Sequence, residues 1–394
     1  MALIVQKFGG TSLADIARIK AVTAIIKAEI ANNNQVIVVA SAMAGVTTQI
    51  IALCSELSGL NEHKAIAEYD SALCSGEIVS SSLLALSLQT EGIEARSVLA
   101  WQLPLITNSS YSKALVESVD INLLKECLEQ GIVPVIAGFQ GITKHMRSST
   151  LGRNGSDTTA VIIASAMQAA RCDIYTDVDG VFTADPRIIH DARKLDHISF
   201  EEMLAFASSG AKVLHPRSAE IAMRYNVEVR VLSSFNGENS IDQKQGTLIT
   251  SQDKIMESRT ITGITSNKNL LQLVMENALS DSRQICDALA RHDIHIEFMN
   301  TNPLSFIIPL SDIERVEKII AGMEGVIINT DISFVSIVGY GIKNDPGLVS
   351  EVLAKLFEAG IKVSMLQVSE IKISLLVNDK DTEKAVQVLS ELVD

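Results

Sequence analysis

Short apolar runs alternate with stretches of helical periodicity through the first 235 residues of the chain. The apolar runs predict buried strands at residues 3–6, 36–40, 95–100, 132–137, 172–175 and 227–232. The stretches between them, such as 77–88 and 116–130, predict helices. Alternating strands and helices form a mainly parallel sheet covered on both faces, with ligands at the carboxyl ends of the strands. The pattern therefore predicts a three-layer α/β domain.

The pattern changes at residues 236–252, which are polar and rich in turn formers and therefore predict a domain border. Beyond this border a unit of strand, helix, strand and strand occurs twice. The first unit has a strand at 270–275, a helix at 282–292, and strands at 294–298 and 304–309. The second has a strand at 333–340, a helix at 346–359, strands at 362–367 and 372–377, and a last helix at 381–392. Such a repeat predicts two ferredoxin-like folds.

Length and composition favour a protein of two or three domains. The chain has 394 residues, of which 47% are hydrophobic and 20% charged, so it has enough apolar material for buried sheets. It has no run of 18 uninterrupted apolar residues, and it begins with a predicted strand, so we expect a soluble, unexported protein without a membrane partner. Its five scattered cysteines predict a reduced, cytoplasmic protein without a structural zinc site.

The net charge of -14 argues against a nucleic-acid partner. A negative protein that binds an anionic ligand must concentrate positive charge locally. The candidates are Lys7, Arg153, Arg187 and Lys212, which all lie beside glycine or proline turns. Taken singly, each of these side chains is more simply explained as a solvated surface charge.

A lysine and two glycines follow the first predicted strand. Lys7 would supply charge, and the amides of Gly9 and Gly10 would donate hydrogen bonds, at the start of a helix. This arrangement binds phosphate. No G-x-x-x-x-G-K-[ST] run occurs, so the chain is not a P-loop enzyme. Ser12 and Asp15 predict a capping box for the helix. The alternative is a tight strand-to-helix turn with a solvated lysine.

Residues 150–159 combine an arginine, two glycines and several hydroxyl or carboxylate side chains just before an alanine-rich helix. Glycines let the backbone approach a ligand, and Arg153 can form paired hydrogen bonds with a carboxylate. Ser156 and Asp157 would lie in the first helical turn, where N–H groups are free. The segment predicts an anion site, although ordinary helix capping explains the same residues.

These segments belong to a longer series of motifs. The series is 7–12 (KFGGTS), 41–47 (SAMAGVT), 75–77 (SGE), 138–141 (GFQG), 150–159 (TLGRNGSDTT), 175–187 (YTDVDGVFTADPR) and 210–217 (GAKVLHPR). It resembles the series found in aspartokinases, which are members of the amino-acid kinase superfamily. The resemblance covers essentially the whole chain.

The resemblance implies transfer of the γ-phosphoryl group of ATP to the side-chain carboxylate of L-aspartate, with Mg²⁺, to give 4-phospho-L-aspartate. This reaction opens the routes to lysine through diaminopimelate, to threonine and to methionine. A carboxylate is already nucleophilic, so the reaction needs no general base. Catalysis then consists mainly of positioning and of neutralising charge on the leaving diphosphate.

The resemblance also implies residue roles. Lys7, Phe8, Gly9, Gly10, Thr176, Asp177, Phe182, Arg187, Lys212 and Val213 would bind the nucleotide. Ser41, Thr47, Glu77, Arg153, Asn154, Gly155 and Ser156 would bind aspartate. Lys7 would act as a catalytic electrophile, and Asp157 would orient that lysine or the metal shell. Asp157 and Glu77 are alternatively simple first-turn helix charges. His215 is expected to be a hydrogen-bonded turn residue.

Asn154 departs from the family, which usually has glycine at this position. Because asparagine tolerates a positive φ better than other side chains, we expect activity to survive.

The two C-terminal units resemble ACT domains, the amino-acid sensing modules of aspartokinases. The implied domains are a kinase domain at 1–245, a linker with the first strand of the second ACT unit at 246–266, and ACT domains at 267–332 and 333–394. Tentative effector residues are Asp345, Gly347, Met365, Gln367 and Glu370, with lysine, threonine or both as effectors. Open sheet edges of ACT units usually pair between subunits, so a homodimer or larger homo-oligomer is expected.

Two other functions remain open from the sequence. A kinase for another carboxylate, such as glutamate, acetylglutamate or carbamate, would share the phosphate site and the sheet. A catalytically silent amino-acid sensor would use its ACT pair to bind ligand and its first domain as a scaffold. Retention of Lys7, Arg153, Asp157 and Lys212 argues against a scaffold, which has no need of converging cations.

Overall fold

The computed structural model describes the chain except residues 60–62, 242–244, 256–259, 276–281, 322, 324 and 394. The chain forms two compact units. The first unit contains residues 1–181, 194–207 and 212–256, and the second contains 182–193, 208–211 and 257–394. Part of the predicted border at 236–252 lies outside the described residues, at 242–244.

Strands and helices alternate through the first 256 residues. The strands are β1 (Leu3–Phe8), β2 (Gln35–Ala40), β3 (Ala95–Val98), β4 (Leu105–Thr107), β5 (Val116–Val119), β6 (Val133–Ala137), β7 (Gln140–Thr143), β8 (Ser148–Thr150), β9 (Arg171–Thr176), β10 (His197–Ser199), β11 (Val229–Ser233) and β12 (Thr247–Thr250). The helices are α1 (Ile16–Ala31), α2 (Val46–Leu57), α3 (His63–Leu73), α4 (Ser75–Thr90), α5 (Asn122–Glu129), α6 (Gly155–Ala166), α7 (Phe200–Ser208) and α8 (Pro216–Tyr225).

The main sheet of the first unit has eight strands in the order β10-β12-β11-β9-β1-β2-β6-β3. Every neighbouring pair is parallel except β11 and β12. This order confirms the predicted mainly parallel sheet. A smaller sheet, β5-β4-β7-β8, was not predicted.

Side chains alternate between the two faces of β1. Phe8 stacks on Tyr175 of β9 with 4.7 Å between ring centroids, and it packs in a core with Ile19 and Val22 of α1. Lys7 points to the opposite face, where it meets Asp157 in the first turn of α6. One face of β1 therefore contributes to the core, and the other presents charge.

A buried ion cluster lies on the same face of the sheet as Phe8. Asp173 on β9 accepts hydrogen bonds from Arg171, at 2.9 and 3.0 Å, and from Arg230 of β11, at 3.2 and 3.3 Å. Arg171 also pairs with Glu29 of α1 at 3.2 Å. Asp173, Arg230 and Glu29 are all buried. The cluster therefore ties α1 to two strands of the sheet.

Two local predictions in this unit are wrong. The N-cap of α1 is Asp15, which accepts a hydrogen bond from the Arg18 amide, whereas Ser12 lies buried in a separate 3₁₀ turn, so the two residues form no capping box. Residues 116–119 form β5 rather than the start of a helix. Two of the four residues are valines, whose β-branched side chains favour strands, and the backbone pairs with β4.

The second unit contains two four-stranded sheets. Its elements are β13 (Gly263–Asn267), β14 (Leu270–Met275), α9 (Ser282–Arg291), β15 (Phe298–Thr301), β16 (Leu304–Pro309), α10 (Ile313–Ile320), β17 (Val326–Asn329), β18 (Ile332–Val338), α11 (Leu348–Glu358), β19 (Met365–Val368), β20 (Lys372–Asn378) and α12 (Thr382–Ser390). The antiparallel sheets are β15-β16-β14-β17 and β13-β18-β20-β19. Both ferredoxin-like folds are confirmed, and β13 joins the second sheet although it precedes the first.

Two strands of this unit begin later than predicted. Ile294, the first residue of one predicted strand, and Ile361, which directly precedes the other, close the preceding helices, with their amides bonded to the carbonyls of Leu289 and Leu356. Each follows a residue of positive φ, and both isoleucines are buried. An apolar residue after a left-handed C-cap packs on the end of the helix. The strands therefore start only at Phe298 and Met365.

Residues 182–193 belong to the second unit although they lie between β9 and β10 in sequence. Ile188 and Ile189 pack against the hydrophobic core of the second ferredoxin-like fold. The Thr183 carbonyl accepts a hydrogen bond from the Ile264 amide at 2.7 Å. The connection between two strands of the first unit thus contributes to the core of the second.

By length and composition, the helical stretch Lys64–Thr90 is apolar enough to cross a membrane. Half of its most apolar window is buried inside the protein, as in a core helix, so this property is weak support for a membrane span.

Candidate active site

The ends of four neighbouring strands meet at one edge of the main sheet. Main-chain hydrogen bonds join them from Gly9 N to Tyr175 O (3.0 Å), from Ser41 N to Phe8 O (3.1 Å) and from Gly138 N to Ala40 O (3.0 Å). Because β1, β2, β6 and β9 are parallel, these are all carboxyl ends. Side chains from segments far apart in sequence therefore converge at this edge, as predicted for a ligand site.

Lys7 and Asp157 form the central charge pair. Nζ of Lys7 lies 2.5 Å from Oδ1 of Asp157, and both side chains are nearly buried, with exposed fractions of 10% and 6%. Apart from this ion pair, Oδ1 has no hydrogen-bond partner among the described residues. Asp157 lies in the first turn of α6, where the helix dipole favours a negative charge. Asp157 therefore fixes the position of the Lys7 ammonium group beside the turn formed by Gly9 and Gly10.

The turn after β1 leaves room beside the lysine. A methyl group at Gly9 would lie only 3.6 Å from Nζ of Lys7 and 3.4 Å from the Tyr175 carbonyl. Any side chain here would occupy the space next to the ammonium group. A glycine turn beside a lysine fits the size and charge of a phosphate group.

Glu77 lies in the first turn of α4 and is almost completely buried. Its Oε1 accepts a hydrogen bond from the Ala42 amide at 3.1 Å, while Oε2 has no partner among the described residues. Burial raises the pKa of Glu77 to about 7, although the hydrogen bond from Ala42 acts to lower it. A buried carboxylate with one free oxygen can bind an ammonium group.

The loop between β8 and α6 presents Arg153. Asn154 has φ 53 and ψ 28, so this position is left-handed, where asparagine is tolerated. Arg153 is exposed and forms no ion pair with a described residue. Burial, Asp70 and Cys54 raise the pKa of Tyr69, whereas the charge of Arg153 acts to lower it. The loop offers a guanidinium group to an anionic ligand.

Ser156 and Gly155 begin α6 and are buried against the end of β6. A Cβ atom at Gly138 would lie 2.9 Å from Cβ and Oγ of Ser156, so only glycine permits this close approach. The amide of Phe139, a residue with φ 69, donates to Oγ1 of Thr159. These contacts hold the N-terminus of α6 against the sheet. Thr47 lies apart from them, half-buried in the first turn of α2.

Several predicted nucleotide residues lie in the first unit. Thr176 at the end of β9 donates to Asp177 at 3.1 Å. Lys212 is exposed, makes no ion pair with a described residue, and precedes half-buried Val213. His215 accepts a hydrogen bond from the Arg217 amide and caps α8, which confirms its predicted turn role. Burial lowers the pKa of His215, whereas the negative charge of Asp157 raises it.

Phe182 and Arg187, also predicted to bind nucleotide, belong to the second unit. Arg187 is highly exposed and forms two hydrogen bonds with Asp185, at 3.0 and 2.6 Å. This pairing raises the pKa of Arg187. Asp185 also accepts a hydrogen bond from the Arg187 amide, which makes a tight turn around Pro186.

The tentative effector residues lie in the second ferredoxin-like fold. Oδ1 of Asp345 accepts hydrogen bonds from the amides of Gly347, at 3.0 Å, and Leu348, at 3.2 Å. Met365 and Gln367 lie on β19 at the edge of the sheet. Glu370 is exposed and pairs with Lys343 at 2.6 Å, which lowers its pKa.

Two charged residues near the Arg153 loop were missed in the sequence. Asp70 in α3 is fully buried, and Arg217 in the first turn of α8 is half-buried. Both bind the backbone on either side of the loop. Asp70 lies between Tyr69 and Ser71, with Glu68 two residues before it, so no local pattern marks it as a buried charge.

Among the described residues, no group of three or more histidine, cysteine, aspartate or glutamate side chains could hold a metal ion. All five cysteines are free thiols.

Comparisons with known proteins identify the family of the chain. Residues 2–233 match the amino acid kinase family, and residues 335–392 match the ACT domain family. The chain is 56% identical over 403 residues to an aspartokinase of Rickettsia bellii (strain RML369-C). The alignment covers 100% of this chain and 98% of the relative. Its fold is similar to that of E. coli aspartokinase III in complex with aspartate and ADP, with a TM-score of 0.81, 26% identity and 99% of each chain covered. It is also similar to the same enzyme in complex with lysine and aspartate, with a TM-score of 0.73, 26% identity and full coverage of both chains. These findings confirm the predicted family: the chain belongs to the aspartokinases.

Proposed function

We propose that this protein transfers the γ-phosphoryl group of ATP to the side-chain carboxylate of L-aspartate and releases 4-phospho-L-aspartate and ADP. The observation that carries the proposal is the Lys7–Asp157 pair beside the glycine turn, at the edge where Glu77 and the N-terminus of α6 also lie. The complexes of E. coli aspartokinase III with aspartate and ADP support both substrates.

We assign the phosphate end of ATP to Lys7, Phe8, Gly9 and Gly10. The Lys7 ammonium would stabilise negative charge that develops on the transferring and leaving phosphates, and Asp157 would keep that ammonium in place. Two anions must approach each other in line, and their repulsion amounts to a few kcal/mol at about 4 Å for an effective dielectric constant of about 20. A fixed cation beside both reduces this cost.

We assign aspartate to the residues around the Arg153 loop and Glu77. Arg153 has no ion pair with a described residue, so it can form paired hydrogen bonds with a carboxylate. The free oxygen of Glu77 can accept a hydrogen bond from the substrate ammonium. The remaining contacts would come from Ser41, Thr47, Asn154, Gly155 and Ser156.

Magnesium would enter with ATP. It prefers oxygen ligands and commonly retains waters while it bridges phosphates. The carboxylate of Asp157, next to the phosphate turn, is the donor that fits this role among the site residues. When bound, the ion neutralises phosphate charge.

The rest of the nucleotide is assigned to Thr176, Asp177, Phe182, Arg187, Lys212 and Val213. The support is that Lys212 is an exposed cation without an ion pair to a described residue, and that Arg187 is held in a tight, exposed turn. We also propose the domain limits 1–245, 246–266, 267–332 and 333–394, which the family matches and the pairing of β13 with β18 support.

We further propose feedback regulation by lysine, threonine or both, and a cytoplasmic homodimer or larger homo-oligomer that serves lysine, threonine and methionine synthesis. The candidate effector residues are Asp345, Gly347, Met365, Gln367 and Glu370. The lysine complex of E. coli aspartokinase III supports an amino-acid effector. A dose series with each pathway amino acid tests it: a flat rate for all of them would disprove regulation.

The decisive experiment measures ADP release with ATP, magnesium and one acceptor at a time, namely L-aspartate, L-glutamate, acetylglutamate or carbamate. Turnover on aspartate alone, lost in Lys7→Ala, supports the proposal. Turnover on another acceptor would assign a different carboxylate kinase. Folded protein that is silent with every acceptor would favour a sensor instead.

A further inference from the structure

The loop that carries Arg153 lies against a second segment of backbone. Thr150 ends β8, and Gly152 turns the chain at φ 85. A Cβ atom at Gly152 would lie 3.1 Å from the carbonyl oxygen of Ser112, so the two segments are in close contact. The Ala114 amide donates to the Thr150 carbonyl at 2.9 Å. The position of Arg153 therefore depends on residues 112–114.

Asp70 binds the N–H side of both segments. Its Oδ2 accepts from the amides of Thr150, at 2.7 Å, and Ser112, at 2.8 Å. Its Oδ1 accepts from the hydroxyls of Thr150, at 3.0 Å, and Ser112, at 3.1 Å. One carboxylate thus receives two hydrogen bonds from each segment. Burial raises the pKa of Asp70, and these same hydrogen bonds act to lower it.

Arg217 binds the carbonyl side of the same segments. Its NH1 donates to the Leu151 carbonyl at 2.7 Å, and its NH2 donates to the Ala114 carbonyl at 2.9 Å. The planar guanidinium therefore spans the two chains with two short bonds. Burial lowers the pKa of Arg217.

Neither Asp70 nor Arg217 forms an ion pair with a described residue. The charge of Asp70 is compensated by two amides and two hydroxyls of the two segments, and that of Arg217 by two of their carbonyls. Burying a charge is costly unless hydrogen bonds satisfy it, so a fully buried carboxylate that uses four donors fixes those donors tightly. Asp70, on α3, accepts hydrogen bonds from amides of the two segments, and Arg217, on α8, donates hydrogen bonds to their carbonyls.

We propose that Asp70 and Arg217 are positioning residues that hold the Arg153 loop in the geometry that binds aspartate. Neither touches the substrate in this proposal. Arg217 lies in the first turn of α8, shortly after Lys212 in sequence, so it connects the segment assigned to the nucleotide with the loop assigned to aspartate. This inference rests on the proposed function, because it assigns the Arg153 loop to aspartate.

The first test does not need turnover. Amide hydrogen exchange is measured for residues 150–154 in the full chain and in the variants Asp70→Asn and Arg217→Gln. Both variants should exchange at least about tenfold faster there, because each loses hydrogen bonds from a charged group to the loop. The matched controls are Glu68→Gln, an exposed carboxylate on the same helix as Asp70, and Arg224→Gln, an exposed arginine on the same helix as Arg217. Neither control should change exchange in the loop.

The second test separates the two substrates. In both variants the KM for aspartate should rise about tenfold or more, while the KM for ATP stays within about twofold of wild type. Arg217→Lys should rescue poorly, because one ammonium cannot replace a guanidinium that spans two carbonyls. Added guanidinium ion should lower the KM for aspartate of Arg217→Ala and leave that of wild type unchanged.

A milder variant covers the case in which Asp70→Asn does not fold. Thr150→Val keeps the shape and the amide but removes one hydroxyl donor, and its KM for aspartate should rise about threefold. Unchanged loop exchange, or an equal rise of both KM values, would overturn the inference. If wild-type protein did not phosphorylate aspartate, the proposed function would fail, and loop exchange would still decide whether Asp70 and Arg217 hold the loop.

Discussion

Two buried ion clusters occupy opposite faces of the neighbouring strands β1 and β9, and they differ in how completely they are satisfied. Both oxygens of Asp173 accept hydrogen bonds from two arginines. Oδ1 of Asp157 has Lys7 as its ion-pair partner and no hydrogen bond with a described residue. The first cluster joins helix and sheet, and the second borders the glycine turn.

The difference suggests separate roles on the two faces of the sheet: the Asp173 cluster stabilises the fold, and the Lys7–Asp157 pair serves the chemistry. Buried polar groups are normally satisfied, so a buried oxygen without a partner needs an explanation. At the edge of the sheet, Glu77 Oε2 has neither an ion-pair partner nor a hydrogen-bond partner among the described residues. Asp157 Oδ1 and Glu77 Oε2 both lie where ligands are proposed to bind, whereas both oxygens of Asp173 already accept hydrogen bonds from arginines. Variants in the two clusters should therefore fail in different ways.

The largest effect is expected at Lys7. Lys7→Met should lower kcat by about 10²–10³-fold, because it removes a charge that stabilises the phosphates in the transition state. Lys7→Met also leaves Asp157 buried without its cation, so the double variant with Asp157→Asn should recover thermal stability and remain inactive. Steady-state kinetics and thermal unfolding measure both. A double variant that regained activity would contradict the assigned role of Lys7.

Asp173→Asn should destabilise the protein without impairing the chemistry. Loss of one partner from a buried ion cluster costs about 3–5 kcal/mol of unfolding free energy, because the arginines remain buried. The folded fraction should keep kcat within about twofold of wild type. Denaturant unfolding gives the first quantity and active-site titration the second. Arg224→Gln, which breaks an exposed pair, serves as the control and should cost less than about 0.5 kcal/mol.

Glu77 should make aspartate binding depend on pH. Its pKa is raised to about 7 by burial, so the carboxylate that would bind the substrate ammonium is lost as pH falls below about 7. The KM for aspartate should rise by about tenfold per pH unit in that range, and the profile of Glu77→Gln should be flat. An unchanged pH profile in the variant would exclude Glu77 from binding.

The same residue makes folding stability depend on pH. Since the folded pKa is raised, the contribution of Glu77 to stability is complete below pH 4.5 and is lost as pH rises towards about 7.

The smallest effect is expected at Asn154. Asn154→Gly should change the unfolding free energy by less than about 1 kcal/mol and kcat by less than about twofold, because both residues accept the left-handed backbone at φ 53. Asn154→Val should be destabilising, since a β-branched residue tolerates this conformation poorly. Thermal unfolding of the three proteins compares them directly. Equal stability of the valine variant would show that the backbone conformation is not required.

The sequence indicated features that depend on local patterns and missed those that depend on distant partners. The parallel sheet followed from apolar runs, and the turn at Lys7 and the start of α6 followed from adjacent residues. Asp70, Arg217 and Asp173 were missed because their partners lie far away along the chain. A single charged residue carries no local signal of the group that will satisfy it. Pairing of such groups depends on the tertiary fold.

Local patterns also misled where two rules competed. Ser12 and Asp15 fit the spacing of a capping box, but Ser12 is buried in a 3₁₀ turn and the aspartate alone caps α1. Ile294 begins an apolar run that predicts a strand, but it follows a left-handed residue and closes a helix. Periodicity identifies which residues are buried and leaves open which element they end or begin.

The place of β13 in the second unit has a consequence for synthesis on the ribosome. β13 pairs with β18, yet β14 to β17, which form a separate sheet, lie between them in sequence. These four strands are therefore synthesised after β13 and before β18. The nascent chain can complete this inner sheet while β13 waits as an unpaired edge, because its partner has not yet been translated. A chain terminated just after β17 would therefore carry one finished sheet and one exposed strand, which is a site for aggregation.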